Sequence, residues 1–502
     1  MRAHRAILNS VAGLLDYGAR ILLALILAPV MVRYLGADSF GIWQLMLKLG
    51  DQIMPADGRP QDVIRWRLAT LQGSDAEAEK QRIVAGSFAV WLMFFPLLLL
   101  CFWLSCQYLL NLDQTTISSG AMLTAFAVVF LATVVASSKL FAGGVLYGEN
   151  LTYKAMGVMA FSVVMGGLLS LWLVIEGFGL AGAAFGYLAG VLFGCIACFI
   201  IAKKHVAWFS LPMPSLTAAR DILPQSSWFM AWAFVEAGLI VCDVLLIGYA
   251  INPEMVSRYV ISSYAIQSVI TVVFIVVIAA LPGVGSLIAE KQFERAREVR
   301  GEGMRYALYL GAACAVVVLL LNQSFVNLWV DASQFIGALE LLFIVVAAQQ
   351  MLLIRSEAAF INLALDIRRK TLIAGVSLLI SVAVALLLVE QWGVIGICVG
   401  LMSGRLVLSV IYPRIVSHFL GGRVRSSMRL PVVVCLAVAL AWYSGQQLVF
   451  DTWLALIAAA IAFTALSLLS LFYLGFNAAE RALLYQRFLP FYNNIAARFK
   501  GA

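Results

Sequence analysis

Fourteen stretches of mostly apolar residues dominate this 502-residue chain, and each is long enough to cross a hydrocarbon core of about 30 Å. They lie at about 8–33, 39–57, 84–106, 118–142, 152–175, 178–202, 226–250, 258–284, 304–323, 336–363, 371–389, 392–413, 429–448 and 453–475. Charged residues make up only 12% of the chain, whereas about 25% is usual in soluble domains. We therefore expect an all-α polytopic membrane protein with about 14 transmembrane helices.

The lysine and arginine residues alternate in step with these spans. If the N-terminus is cytoplasmic, 27 of the 34 lie in segments on the cytoplasmic side. No lysine or arginine occurs in the outer loops near 107–117, 176–178, 324–335, 390–391 and 449–452. By the positive-inside rule, we predict a multi-pass protein with both termini in the cytoplasm. The 27 cytoplasmic basic residues are spread over eight segments. The net charge of +8 therefore indicates contact with anionic lipids rather than with nucleic acid.

Two ladders of glycine lie 214 residues apart. The first consists of Gly179, Gly182, Gly186, Gly190 and Gly194, and the second of Gly393, Gly396, Gly400 and Gly404. Glycine at every third or fourth position leaves a bare stripe on one helix face, which lets a second helix approach closely in lipid. We assign this packing role to Gly182, Gly186, Gly190, Gly396, Gly400 and Gly404.

The constant spacing of the ladders indicates that the chain contains two similar halves. Residues 1–205 hold six predicted spans and form an N-lobe, and residues 220–420 hold six more and form a C-lobe. An even number of spans in each half makes the two pseudo-symmetric lobes parallel repeats, as in many secondary transporters. Residues 428–475 add two further spans, and residues 478–502 are predicted to form an amphipathic tail on the cytoplasmic surface.

Charged residues inside the first two spans are candidates for a substrate site. Asp16 and Arg20 lie four residues apart in span one, and Lys48 and Asp51 lie three apart in span two, so each pair shares a helix face. A charge at a helix centre costs about 2.5–3.5 kcal/mol and must face the bundle interior or a wet cavity. Arg20 and Lys48 could bind a substrate diphosphate, with Asp16 and Asp51 as candidates for ion coupling. Alternatively, each carboxylate simply neutralises the cation beside it.

Span seven carries two acidic residues, Glu236 and Asp243, on one helix face. They are candidates for coupling transport to a proton or a cation. The alternative is pairing with Arg405 of span twelve or Arg355 of span ten. The 214-residue shift places Arg405 on Val191, so this charge has no counterpart in the first half. We count Arg405 among the candidate cavity cations, with a snorkelling or ion-paired arginine as the alternative.

The sequence predicts neither a cofactor nor a metal site. It contains no G-x-x-x-x-G-K-[ST] motif for a nucleotide phosphate. All eight cysteines fall inside predicted spans, and Cys195-x-x-Cys198 lies in the predicted helix that carries the first glycine ladder. At that position packing is favoured over redox chemistry.

Several local motifs resemble those of Wzx-type polysaccharide flippases. Residues 29–36 (Pro-Val-Met-Val-Arg-Tyr-Leu-Gly) with Phe40-Gly41-x-Trp43 resemble the end of that family's first span and the start of its second. Asp57-Gly58-Arg59-Pro60 resembles the acidic-glycine turn after span two, although the family's acid usually stands two positions before the glycine and residue 56 here is alanine. Residues 146–150 (Leu-Tyr-Gly-Glu-Asn) resemble the turn after span four, and the two ladders resemble spans six and twelve.

The resemblance implies membership of the multidrug/oligosaccharidyl-lipid/polysaccharide exporter (MOP) superfamily, which includes MurJ-type lipid II flippases and MATE drug antiporters. It implies a flippase that moves undecaprenyl-diphosphate-linked oligosaccharide across the bacterial inner membrane by alternating access, for the synthesis of O-antigen, capsule or exopolysaccharide. The expected partners are this lipid-linked substrate, a proton or sodium ion, membrane lipids and a polysaccharide polymerase.

Two other functions remain open on sequence grounds. Glu236 and Asp243 are compatible with a MATE-like cation-coupled drug antiporter. A polytopic glycosyltransferase or O-antigen ligase would need a sizeable polar outer loop, but no predicted outer loop exceeds about a dozen residues. We therefore expect a transporter and not an enzyme.

Overall fold

The computed structural model describes residues 2–72, 74, 76–112, 115, 117–210, 213–363, 366–422 and 428–482, with side chains from residue 17 onward. The described residues form fifteen α-helices, two short 3₁₀ turns and no strand. The helices are α1 (Arg2–Leu35), α2 (Ala37–Ile53), α3 (Pro60–Thr70), α4 (Glu77–Leu110), α5 (Ser119–Gly148), α6 (Tyr153–Ile175), α7 (Gly179–His205), α8 (Leu216–Ala250), α9 (Pro253–Ala279), α10 (Leu281–Ala289), α11 (Phe293–Trp329), α12 (Ala338–Leu363), α13 (Ile367–Phe419), α14 (Arg429–Gly445) and α15 (Trp453–Gly475).

The helices confirm the prediction of an all-α polytopic membrane protein. Eleven of those in the described part of the chain are long and apolar enough to cross a membrane. One of them, α13, has 53 residues and includes two of the predicted spans, which meet at a bend where Gly393 has φ 53° and ψ −130°. The predicted spans 39–57 and 429–448 correspond to α2 and α14, which are only 17 residues long. Because α2 ends at Ile53, the turn that contains Asp57 lies beyond this helix.

Several helix starts follow from the sequence at single positions. The hydroxyl groups of Ser118, Ser215 and Thr452 accept hydrogen bonds from the backbone N–H groups three residues further on. These bonds satisfy N–H groups that have no partner within the first turn of a helix. Short polar residues therefore fix where α5, α8 and α15 begin.

The chain divides into two compact units. Unit 1 consists of Met1–Ile261 with Asp366–Gly404, and unit 2 of Ser262–Leu365 with Arg405–Ala502. The first arm of α13 (367–392) thus belongs to unit 1 together with α1–α8, and its end belongs to unit 2. The lobe boundaries at 1–205 and 220–420 and the extra pair of spans at 428–475 stay predictions. Most of the tail at 478–502 lies outside the described residues.

Glycines of the first ladder lie where α7 packs against α6. A Cβ atom at Gly186 would collide with the backbone of Ser170. A Cβ atom at Gly190 would lie 2.7 Å from the carbonyl oxygen of Ser162, and one at Gly182 would lie 2.9 Å from Cβ of Leu173. The Ser170 hydroxyl also donates a 2.8 Å hydrogen bond to the Ala183 carbonyl across this contact. The backbones approach so closely that only glycine fits without movement.

The second ladder makes the same kind of contact between the two arms of α13. A Cβ atom at Gly400 would collide with the backbone of Ala385, and one at Gly404 would collide with Ser381. Gly396 faces the Leu388 backbone in the same way. Ala385 is 215 residues from Ser170, so the packing partner repeats almost in register with the ladder itself.

Candidate functional site

Four polar side chains of α1, α2 and α7 gather in unit 1. The Lys48 ammonium lies 3.7 Å from the carboxylate of Asp51, one turn further along α2. The hydroxyl of Tyr187 on α7 interacts electrostatically with both Asp51 and Arg20. The Trp43 ring packs edge-on against the Tyr187 ring, with the centroids 6.3 Å apart. The structure therefore brings together three of the four charged residues that the first two spans contribute, and Asp16 lies outside the residues whose side chains are described.

This cluster is accessible and its ion pair is loose. The Lys48 and Asp51 side chains are 32% and 60% exposed, and Arg20 is also exposed. A separation of 3.7 Å exceeds the 2.7–2.9 Å of a strong charge-assisted hydrogen bond. The Lys48 ammonium carries three hydrogen-bond donors, so it can bind an anionic ligand in addition to Asp51.

Glu236 lies beside a row of cations and indole rings within unit 1. Trp228, Trp232 and Glu236 follow one another at four-residue intervals along α8. The Lys370 ammonium, at the start of α13, lies 3.3 Å from the centroid of the Trp232 ring and interacts electrostatically with Glu236. The Arg368 guanidinium lies 5.5 Å from the centroid of the Trp228 ring. Glu236 is half-buried, and Lys370 is almost fully buried at 1% exposure.

Asp243 is a buried hydrogen-bond acceptor on the same helix. One carboxylate oxygen accepts a 2.6 Å bond from the Tyr259 hydroxyl, and the other accepts a 2.8 Å bond from the backbone N–H of Val244. These bonds give Asp243 polar partners inside unit 1. The two acidic residues of span seven therefore differ, because Glu236 faces a cation and Asp243 faces a hydroxyl group.

Arg405 and Arg355 belong to unit 2. Arg405 is buried, and its carbonyl oxygen accepts a bond from the Ser409 hydroxyl. The Arg355 guanidinium lies over the Phe274 ring, 4.3 Å from its centroid. The role of Arg405 as a cavity cation stays a prediction.

The turn that follows α2 is a second polar site of unit 1. Asp57 is fully buried and accepts a 2.7 Å bond from the Arg59 backbone N–H, while Arg59 adopts φ 51° and pairs with Asp62 at 2.8 Å. The Ser226 hydroxyl of α8 donates to the Gly58 carbonyl, so the turn holds α2 and α8 together. Burial raises the pKa of Asp57 to about 7, against the lowering effect of the Arg59 hydrogen bond.

Sequence reasoning missed Tyr187 and Lys370 as site residues. Lys370 stands in a run of three basic residues, which the positive-inside rule alone explains as a cytoplasmic charge. The signal that could have found it is helical spacing, because Lys370 continues the stripe of small buried residues Ala374, Ser377 and Ser381 along α13. Tyr187 carries no such signal, since one tyrosine in an apolar helix is usually a packing residue.

The described residues contain no cluster of three or more His, Cys, Asp or Glu side chains that could hold a metal ion. The cations and carboxylates of the site can bind an anion and can exchange partners within the apolar surroundings of a membrane protein.

Comparison with known proteins shows that the chain has a known fold. No protein-family model and no curated protein sequence matches the chain. A structure of the lipid II flippase MurJ in an inward closed conformation aligns with a TM-score of 0.67 at 12% identity, over 93% of this chain and 99% of that one. An inward-facing MATE multidrug resistance transporter of the MOP superfamily aligns with a TM-score of 0.62 at 14% identity, over 80% and 94%. The MATE multidrug transporter DinF-BH, solved as a complex, gives 0.56 at 14% identity, over 82% and 95%. The chain therefore has the fold that these flippase and multidrug transporter structures share.

Proposed function

We propose that this protein is a flippase that moves undecaprenyl-diphosphate-linked oligosaccharide from the cytoplasmic to the outer leaflet of the bacterial inner membrane. It works by alternating access of the N-lobe and the C-lobe, as a transporter and not as an enzyme. In this proposal both termini are cytoplasmic, and the flipped product is passed to a polysaccharide polymerase.

The observation that carries the proposal is the accessible cluster of Arg20, Lys48, Asp51 and Tyr187. The cluster holds two cations, Arg20 and Lys48, and both side chains are accessible. A diphosphate carries several oxygen acceptors, and a guanidinium and an ammonium group together can bind them. The Tyr187 hydroxyl adds a hydrogen-bond donor beside these cations.

The extent of the structural likeness supports a lipid-linked substrate. The lipid II flippase structure covers 93% of the chain, whereas the MATE structures cover 80–87%. The chain carries α14 and α15 beyond its two predicted six-span lobes. A long prenyl chain requires a lipid-facing path, which additional helices could supply.

Ion coupling in this proposal runs through Glu236 and Lys370. The Lys370 ammonium interacts electrostatically with the Glu236 carboxylate. Binding of a proton to Glu236, or of a sodium ion in place of the ammonium group, would break the attraction between Glu236 and Lys370. Helices α8 and α13 would then be free to move. Asp51 and Asp243 are the further coupling candidates among the described side chains.

Export of lipid-linked sugar in cells tests the proposal. Arg20→Gln/Lys48→Gln should abolish surface polysaccharide while protein levels in the membrane stay unchanged, because the diphosphate loses both cations. Arg33→Gln is a matched control, since Arg33 is an exposed cation at the end of α1. Normal polysaccharide from the double variant would overturn the assignment.

The MATE-like drug antiporter is the second candidate, favoured by the likeness to the multidrug transporter DinF-BH. Ion-dependent efflux of a cationic dye from vesicles would support it. Such a transporter would bind cations, and the Arg20 and Lys48 charges oppose that.

A further inference from the structure

Unit 2 contains a partly open cavity of about 490 Å³ that the proposed transport mechanism does not use. It lies where the start of α11, the end of α12, the end of α13, the start of α14 and the end of α15 meet. The predicted topology places all of these helix ends on the cytoplasmic side. In that topology the cavity lies at the level of the lipid headgroups of the inner leaflet.

The lining of this cavity changes from polar to apolar with depth. On three helices an apolar lining residue lies about one turn, or about 5 Å, further from the helix end than a charged one. These pairs are Leu308 beyond Arg305 on α11, Leu353 beyond Glu357 on α12, and Val410 beyond Arg414 on α13. A ligand that fits this gradient has a charged group joined to a hydrocarbon chain.

The cavity lining contains one more cationic side chain than it contains carboxylates. Glu357 is held by the Arg300 guanidinium in two bonds of 2.7 and 3.0 Å, and both side chains are only 6% exposed. Glu480 pairs with Arg305 at 2.9 Å.

Arg414 lines the same cavity, its side chain is exposed, and it forms no ion pair within the part of the chain that the structure describes. The lining thus carries one net positive charge.

We propose that this cavity binds a singly charged glycerophospholipid, with its phosphodiester at Arg414 and the first part of an acyl chain against Leu308, Leu353 and Val410. A phosphodiester carries one negative charge, which balances the one cation left over. Anionic lipids are concentrated in the cytoplasmic leaflet, where each lysine or arginine near the surface attracts them by about 1 kcal/mol. The site is separate from the Arg20 and Lys48 cluster, and the proposal does not depend on which substrate is transported.

Lipid binding to the purified full-length protein tests this inference. Native mass spectrometry in a neutral detergent would follow titrations with phosphatidylglycerol, phosphatidylcholine and inorganic phosphate. Arg414→Gln should weaken phosphatidylglycerol binding about fivefold, and Arg414→Lys should restore most of it. Arg295→Gln removes the same charge from an exposed position on α11 outside the cavity and should bind phosphatidylglycerol like the unmodified chain.

A second variant tests the apolar part of the site independently of charge. Val410→Trp places a large ring in the cavity and should also lower phosphatidylglycerol binding while Arg414 is intact. Equal binding by Arg414→Gln and Arg295→Gln would overturn the inference, as would equal binding of phosphatidylcholine. Displacement of the lipid by inorganic phosphate at a similar concentration would also overturn it, because that result would show a phosphate site without a role for the acyl chain.

Discussion

The ammonium group of Lys370 lies 3.3 Å from the centroid of the Trp232 ring, within the electrostatic reach of Glu236 one turn further along α8. The two helices are thereby joined by a cation that is only 1% exposed. A buried cation of this kind is stable only while the indole face and the carboxylate remain in place.

Removing the Lys370 charge should destabilise the protein. Lys370→Met is expected to lower the free energy of unfolding by about 2 kcal/mol, because it leaves the half-buried Glu236 carboxylate without its cation. Lys370→Met/Glu236→Gln should recover part of the loss, with a coupling of about 0.5–3 kcal/mol in a double-mutant cycle. Arg369→Met changes the exposed neighbour and should have little effect. Strictly additive losses in thermal unfolding would show that Lys370 and Glu236 do not interact.

Asp57 should make stability depend on pH. Its pKa is about 7 in the folded protein because of burial, against 3.8 for the unperturbed group. Between about pH 4 and 7 the unfolded chain has released a proton that the folded chain still holds, so stability falls as pH rises and is level above pH 7. The full effect is up to about 4 kcal/mol.

The Asp57→Asn variant isolates this effect. Asparagine keeps an oxygen that can accept the Arg59 hydrogen bond, so the variant should match the unmodified protein near pH 4 and exceed it above pH 7. Asp451→Asn alters an exposed carboxylate and provides the control. Thermal unfolding between pH 4 and 8 measures the difference, and parallel curves for the two proteins would refute the predicted role of Asp57 burial.

Alanine at the ladder glycines should be costly in both halves of the chain. Gly186→Ala and Gly400→Ala each place a methyl group against the backbone of the neighbouring helix. We expect each to lower stability by about 1–3 kcal/mol. Gly143→Ala serves as the control, because a Cβ atom at Gly143 meets nothing within 4 Å and alanine is favoured in a helix interior by about 0.5–1 kcal/mol. A tolerated Gly400→Ala would contradict the equivalence of the two ladders.

Much of the fold could be predicted because lipid imposes simple constraints on a sequence. Length and apolar character located the helices, and the bend at Gly393 lies one residue after the predicted start of span twelve at residue 392. The end of α2 could not be placed, because Met54–Asp57 is apolar enough to continue a span and only the 3₁₀ geometry ends it. Helix α3 was also missed, since its charged residues resemble those of a loop.

Within the candidate site, only the contacts along a single helix were predictable. Spacing placed Lys48 and Asp51 on one face of α2, and the structure shows them 3.7 Å apart. Partners on distant segments could not be found from one sequence. Tyr259 lies against Asp243 and Lys370 lies near Glu236 through tertiary packing, which no local pattern encodes.

Flipping of a lipid-linked oligosaccharide in proteoliposomes tests the central claim most directly. The purified protein would be reconstituted with undecaprenyl-diphosphate oligosaccharide, and access of an added glycosidase to the sugar would report movement between leaflets. We expect rapid loss of protection with the unmodified protein and with Arg33→Gln, and protection equal to that of empty vesicles with Arg20→Gln/Lys48→Gln. Protection that is the same with and without the unmodified protein, in vesicles where the protein is folded, would contradict the claim that it is a flippase for this substrate.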